Sequence, residues 1–226
     1  MGGDLYSYIQ EYINNDTNMS EMEAAQIISK VISGVRHLHR EQLIHMDLKP
    51  ENIVFTNDQD TNIKLIDFHL VQSTLGLGEI PLLKKALPSA TEGKPFGTPQ
   101  YIAPEVINPD CTYDEKCDMW SIGCILYAML TGFPAFGGHS DAETLAKVRL
   151  GVYSTETLEI SDVSPECQSF ISKLLCMDPE QRLSAAQALE DEWIMMNREE
   201  MISAPCANAA LEHVRDFTIT TGKRIQ

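Results

Sequence analysis

Positive charge is scarce in this sequence: 17 Lys and Arg stand against 33 Asp and Glu, a formal net charge of −16 over 226 residues. Such a balance argues against nucleic acid or an anionic membrane as the principal partner. It suits basic peptides, although most surface carboxylates do no more than solvate a domain. Metal-type cysteine spacing is missing as well. The six cysteines (Cys111, Cys117, Cys124, Cys167, Cys176 and Cys206) form no C-x-x-C pair. They read as reduced, mostly buried thiols rather than a disulfide framework or a zinc site. The longest apolar run, Trp120 to Leu130, is far too short to span a bilayer. No secretory leader is expected at Met1-Gly2-Gly3-Asp4, so the acceptor pattern Asn18-Met19-Ser20 carries no glycosylation reading. The expected location is intracellular, cytoplasmic or nuclear. Internal repeats and low-complexity tracts are absent.

What is present is enough apolar residue, 43% of the chain, to bury one core, so one domain or one large lobe is expected. Ser20-Glu21-Met22-Glu23 predicts a capping box. Behind it Ala24, Ile27, Ile28, Val31, Ile32, Val35 and Leu38 recur at three- and four-residue steps, the apolar face of a helix to about His39. A shorter helix is expected from Asp4 to Ile13. The apolar runs Asn52–Phe55 and Ile63–Ile66 flank a turn-rich stretch and predict a small hairpin. From Val71 to Gly97 no period is visible, which predicts a long functional loop. Helices are then expected at roughly 118–130, 140–150, 164–176 and 184–195.

Asp47, Lys49 and Asn52 lie within six residues, between a long helix and an apolar strand. One turn can present an acceptor, a cation and an amide to a single point, and Asp67 ends the second strand-like run. Two carboxylates and an amide oxygen form a plausible oxygen site for Mg²⁺. Taken singly, each reads more readily as an ordinary turn residue than as a functional one. His37, His39 and His45 read as neutral core or surface histidines rather than metal ligands.

Order and spacing decide between these readings. His45-Met46-Asp47-Leu48-Lys49-Pro50-Glu51-Asn52 resembles the catalytic loop of protein kinases, and Asp67-Phe68-His69 resembles their D-F-G motif. Gly97-Thr98-Pro99-Gln100-Tyr101-Ile102-Ala103-Pro104-Glu105 is similar to the end of an activation segment. Asp118-Met119-Trp120-Ser121-Ile122-Gly123 is similar to the start of the central helix, and Arg182 takes the place of the ion-pair partner of Glu105. The resemblance covers residues 1 to about 195 and implies a protein kinase-like fold, α+β when complete. This chain would be its mostly α-helical C-lobe with a small β-hairpin, and residues 196–226 a tail.

The resemblance implies roles residue by residue. Asp47 would orient the proton of a Ser or Thr hydroxyl, Lys49 would face the transferring phosphate, and Thr98 would shape the site beside them. Asn52 and Asp67 would hold Mg²⁺. On the nucleotide side, Asp4 would reach the ATP ribose or instead act as an N-cap. Val54 would floor the adenine site, and Asp4 and Glu51 together could receive an arginine upstream of the phosphoacceptor. His45 would pack against Phe68. The style of the Leu174–Pro179 and Ser184–Leu189 stretches resembles calcium/calmodulin-dependent and calcium-dependent kinases. Ala210–Phe217, with Arg215, Lys223 and Arg224, resembles the start of their autoregulatory junction helix and implies calmodulin or a calmodulin-like domain as a partner.

Three departures accompany the resemblance. The sequence holds no glycine-rich loop, strand lysine or helix glutamate of the small lobe, which implies a truncated stretch of a longer kinase that alone neither binds ATP tightly nor turns over. Met46 replaces the arginine expected before Asp47, and His69 replaces the glycine after Phe68, where a side chain is expected to restrict the turn. The apolar insertion Ile80–Leu83 reads as a possible docking surface. The alternative is a catalytically silent pseudokinase or interaction scaffold that kept the fold.

Overall fold

The computed structural model describes residues 2–56, 62–74 and 97–203. The apolar insertion at 80–83, Cys206 and the junction-helix stretch 210–217 lie outside the described residues. The chain opens with α1 (Leu5–Asn14), whose N-cap Asp4 accepts from the Ser7 N–H at 2.7 Å. Helix α2 (Glu21–Arg40) follows, and its apolar stripe from Ala24 to Val35 is buried as the periodicity predicts. Each of its large aliphatic side chains contributes about 1.5–3 kcal/mol by leaving water, so packing rather than propensity holds it.

Ser20 caps α2 by accepting from the Glu23 N–H at 3.3 Å, yet the expected capping box is only half made. The Glu23 carboxylate is taken by the hydroxyls of Tyr8 and Tyr12 on α1. A carboxylate that can accept two phenolic O–H groups across a helix pair is better satisfied than by one backbone N–H already near water. The complete capping box lies elsewhere, at Ser184 and Gln187.

Gln42, at φ +60°, reverses the chain into β1 (Leu43–Ile44). After the stretch His45–Lys49 comes a one-turn 3₁₀ helix (Pro50–Asn52), then β2 (Ile53–Phe55), β3 (Ile63–Leu65) and β4 (Gln72–Ser73). The expected hairpin is β2–β3, antiparallel with Ile53 opposite Leu65 and Phe55 opposite Ile63. A second two-stranded pair, β1 with β4, was not expected; two-residue strands carry no readable alternation. Gly3 O accepts from Phe55 N–H at 3.0 Å, which seats the start of α1 on the hairpin.

The remainder is helical: α3 (Lys116–Thr131), α4 (Asp141–Leu150), α5 (Thr155–Ile160), α6 (Pro165–Leu174), α7 (Ala185–Leu189) and α8 (Glu192–Ser203). Every residue of α3 from Cys117 to Thr131 is buried, with α2, α5 and α6 packed around it. The single helix expected over 184–195 is two. The chain breaks at Glu190 and Asp191, where the Asp191 carboxylate accepts from Trp193 N–H (3.1 Å) and from Lys173 Nζ (2.7 Å). A side chain that caps a new helix and holds a lysine favours the break over a continuous turn. No helix among the described residues is long and apolar enough to cross a membrane.

Candidate active site

The loop between β1 and β2 is held from below by a side chain far away in sequence. Asp118, buried at the start of α3, accepts from the backbone N–H of His45 (2.9 Å) and of Met46 (3.0 Å). Its Oδ2 also lies 2.9 Å from His39 Nε2 at the end of α2. Those bonds fix Met46 at φ +71°, a left-handed conformation costly for a side chain of its size. The Met46 thioether is buried with its sulfur 3.7 Å from Cys117 Sγ. Where the resemblance leads one to expect a cation, this chain places a soft apolar contact.

His45 is fully buried and reads the next segment. Its Nε2 lies 3.1 Å from the Ile66 carbonyl, and its Nδ1 accepts from Asp47 N–H at 3.4 Å. A carbonyl can only accept, so the pattern requires the Nε2–H tautomer. The ring stacks at a tilt on Phe68, with centroids 5.1 Å apart.

Above this base the polar side chains converge. Asp47 Oδ2 lies 3.2 Å from Lys49 Nζ, which also donates to Thr98 Oγ1 at 3.3 Å, and Thr98 donates to Asp47 Oδ1 at 3.4 Å. Asn52 Nδ2 donates to the Asp47 carbonyl (2.8 Å) and to its Oδ2 (3.3 Å). Both Asn52 bonds use the amide nitrogen, so its amide oxygen keeps its acceptor capacity. Thr98 reaches the cluster because Gly97 turns at φ +85°, and a Cβ there would come within 3.7 Å of Asp47 Oδ1. Asp47 is nearly enclosed, while Lys49 is partly open to solvent.

The strand register supplies the other carboxylate. Ile66 N–H donates to the Asn52 carbonyl at 3.0 Å, which extends the hairpin and carries Asp67 to the same end as Asn52. Asp67 is at φ +66° and 42% exposed, and its Oδ1 is hydrogen-bonded to His69 Nδ1. The imidazole beside it holds the Asp67 carboxyl below the usual carboxylate range. The expected restriction at His69 is not where the strain lies: His69 has no positive φ, and the left-handed residues are Met46 and Asp67. The histidine is therefore accommodated without the freedom of glycine. Asn52 and Asp67 together offer hard oxygen donors of the kind a small divalent cation takes.

The residues assigned to the nucleotide side lie along one edge. Asp4 forms an isolated bridge with Val54, and its carboxylate is committed to capping α1. Val54 is half-buried on β2, and Glu51 is exposed on the 3₁₀ turn.

Three contacts tie the segment from Gly97 to Glu105 to the helical body. Thr98 holds the Asp47 cluster, the Tyr101 carbonyl accepts from Ser121 Oγ at 2.7 Å, and Glu105 meets Arg182. That last pair is bidentate and buried, with Nη1–Oε1 2.6 Å and Nη2–Oε2 3.0 Å. Arg182 also donates to the carbonyls of Cys176 (2.9 Å) and Lys116 (3.0 Å), and lies 5.1 Å over the Trp120 ring. A buried guanidinium is tolerated because every face of it is occupied.

Sequence reasoning assigned no role to Asp118, which holds the loop from beneath, or to His39, which bonds Asp118. The available signal was Asp118 itself, a carboxylate within a run of apolar residues that demands partners once buried.

Residues 1–194 match the protein kinase domain family. The chain is 35% identical over 224 residues to calcium-dependent protein kinase 4 of Plasmodium falciparum, covering 97% of this chain and 39% of that protein. It is 36% identical over 193 residues to myosin light chain kinase family member 4 of Homo sapiens, covering 85% and 46% respectively. With the smooth muscle myosin light chain kinase of Gallus gallus it shares 35% identity over 200 residues, 88% of this chain and 10% of that protein. The chain thus spans less than half the length of each of these relatives. With the family matched over most of its length and the loop, hairpin and buried ion pair assembled around one point, the chain belongs to the protein kinase domain family.

Proposed function

We propose that this chain is the large C-terminal lobe of a Ser/Thr protein kinase of the calcium-regulated type, and that it carries the phosphoryl-transfer half of the active site. The observation that supports this reading best is the closed network of Asp47, Lys49, Thr98 and Asn52. Asp47 would accept or orient the hydroxyl proton of the substrate, and Lys49 would stand against the transferring phosphate. Thr98, bonded to both, would keep them at fixed separation. Asn52 and Asp67 fit a magnesium ion by their donor chemistry, and such an ion would supply charge neutralisation at the phosphate oxygens of ATP. Asp4, Glu51 and Val54 would line the nucleotide edge. The net charge of −16 and the exposed Glu51 favour protein substrates with basic residues near the phosphoacceptor. The relatives named calcium-dependent, together with the basic, apolar stretch after residue 210, support calmodulin or a calmodulin-like domain as regulator.

The test joins this chain to the small lobe of a myosin light chain kinase and measures phosphate transfer from ATP to a basic serine peptide. Transfer is expected, with kcat falling by about 10²–10⁴ in Asp47→Asn. A chimera that binds MgATP yet transfers nothing would sink the reading. Isolated, the chain is expected to show no saturable micromolar MgATP binding.

One observation favours a second reading, a scaffold without turnover. The Asp67 carboxylate is engaged by His69, a histidine where the family motif has glycine. The same chimera decides between the two.

A further inference from the structure

His69 does more in this geometry than fill the place of a glycine. One of its ring nitrogens, a carboxylate oxygen of Asp67 and one of Asp47 all lie within 4.8 Å of one another. Bonds of about 2.0–2.3 Å put the donors of one ion no more than about 4.6 Å apart, so shifts of a few tenths of an ångström bring these three round a single ion. The donors are also unlike one another: two carboxylate oxygens and one aromatic nitrogen. Asp47 is nearly enclosed at 5% side-chain exposure, whereas Asp67 and His69 are open at 42% and 58%. The arrangement therefore has a buried floor, where Asp47 also meets Lys49, Thr98 and Asn52, and an accessible mouth at Asp67 and His69.

We propose that His69 is a metal-selecting residue: with Asp67 and Asp47 it makes a mixed nitrogen–oxygen chelate that prefers a transition dication such as Mn²⁺ over Mg²⁺. The chemistry is one of ligand softness. Mg²⁺ demands near-ideal octahedral oxygen coordination and dehydrates reluctantly, so an imidazole in its shell gains it little. Mn²⁺ accepts carboxylates as readily and, although the weakest of the first transition row toward nitrogen, binds imidazole better than Mg²⁺ does. His69 and Asp67 are two residues apart and share a hydrogen bond, so a chelated ion takes the place of the proton between them. A glycine at position 69 would leave an all-oxygen site with no such bias. The inference rests on the phosphotransfer reading only for the place of the site, not for its occupancy.

The experiment titrates Mn²⁺ into the full chain without nucleotide, following the free aqueous Mn²⁺ signal by electron paramagnetic resonance, with and without competing Mg²⁺. Wild type is compared with His69→Ala and Asp67→Asn, both solvent-facing positions. Wild type is expected to hold one Mn²⁺ against excess Mg²⁺ and to show selective paramagnetic broadening of the His69 ring by NMR. His69→Ala is expected to bind Mn²⁺ at least about tenfold more weakly, with its Mg²⁺ affinity unchanged. Asp67→Asn should lose the site for both ions. Equal Mn²⁺ affinity in wild type and His69→Ala, or an unbroadened His69 ring at saturation, overturns the proposal. Absence of phosphate transfer leaves either result untouched, because no nucleotide or substrate enters the titration.

Discussion

Glu21, the first residue of α2, accepts a hydrogen bond from the Trp193 indole at 2.7 Å, joining positions 172 residues apart. The same carboxylate accepts from the Ser164 backbone N–H (2.6 Å) and from its hydroxyl (2.7 Å), just where α6 begins. Three helices therefore meet on one side chain, and Trp193 is held flat enough to stack on Phe170 at 5.2 Å. Glu21→Ala leaves an indole and a backbone donor without their acceptor. We expect a loss of about 2–4 kcal/mol in denaturant unfolding, with an unchanged m-value. A loss below about 0.5 kcal/mol, the range of ordinary surface substitutions, would show that water replaces the carboxylate freely.

Asp118→Asn keeps the shape of the side chain but replaces one acceptor oxygen by an N–H₂ donor. At least one of the backbone donors of His45 and Met46, or the ring of His39, then faces another donor. The expected cost is about 1–3 kcal/mol of stability. Because the lost bonds hold Met46 at its left-handed φ, the Asp47 loop should also drift. In the chimera described above, kcat should fall while the KM for peptide stays near its original value. An unchanged kcat would mean that the loop is held from above instead.

Gly123 faces the end of α6 so closely that a Cβ would lie 2.8 Å from Leu175 Cδ2 and 2.9 Å from Leu174 Cβ. Gly123→Ala gains about 1 kcal/mol of helix propensity but overpacks a fully buried seam, which costs about 1–3 kcal/mol. Net destabilisation is expected, read as a lowered Tm. A raised Tm would show that the two leucines can retreat.

Burial pushes the thiols of Cys117, Cys124 and Cys167 upward. In the unfolded chain a cysteine ionises near pH 8.5, so above that pH the unfolded state sheds protons that the folded state keeps. Stability is therefore whole below about pH 8.5 and declines above it, by up to about 1.4 kcal/mol per thiol per pH unit, until the folded thiols themselves ionise. Denaturation curves between about pH 7 and pH 9.5 check the slope, and maleimide labelling at neutral pH should reach exposed Cys111 before any of the three. A stability flat across that interval would contradict the burial.

Much of this site could be read along the chain because its parts are contiguous. Asp47, Lys49 and Asn52 share one turn, and the apolar stripe of α2 announces itself at three- and four-residue steps because only one face of that helix is buried. Other features leave no local trace. Helix α3 is buried on all sides, so its residues show no polar face and its role as the centre of the lobe comes only from the motif at its start. Glu23 follows the spacing of a capping box but is drawn to two tyrosines that no local rule connects to it. Glu21 and Asp118 act on partners far away in sequence, and such pairings exist only once packing has brought the helices together. Strands of two residues, β1 and β4, are too short to be seen by any periodicity.

The burial of α3 on every side also decides which parts of the molecule can exchange with solvent. No face of that helix can be bared by a shift of one neighbour, because α2, α5 and α6 each cover part of it. Its amide hydrogens should therefore trade for deuterium only when the whole lobe opens, at the full free energy of unfolding. The exposed turn at Asp67–His69 belongs to the opposite end of that scale. Asp118 belongs to the slowest-exchanging element and grips the loop that carries Asp47, so that loop is anchored to the part of the protein that opens last.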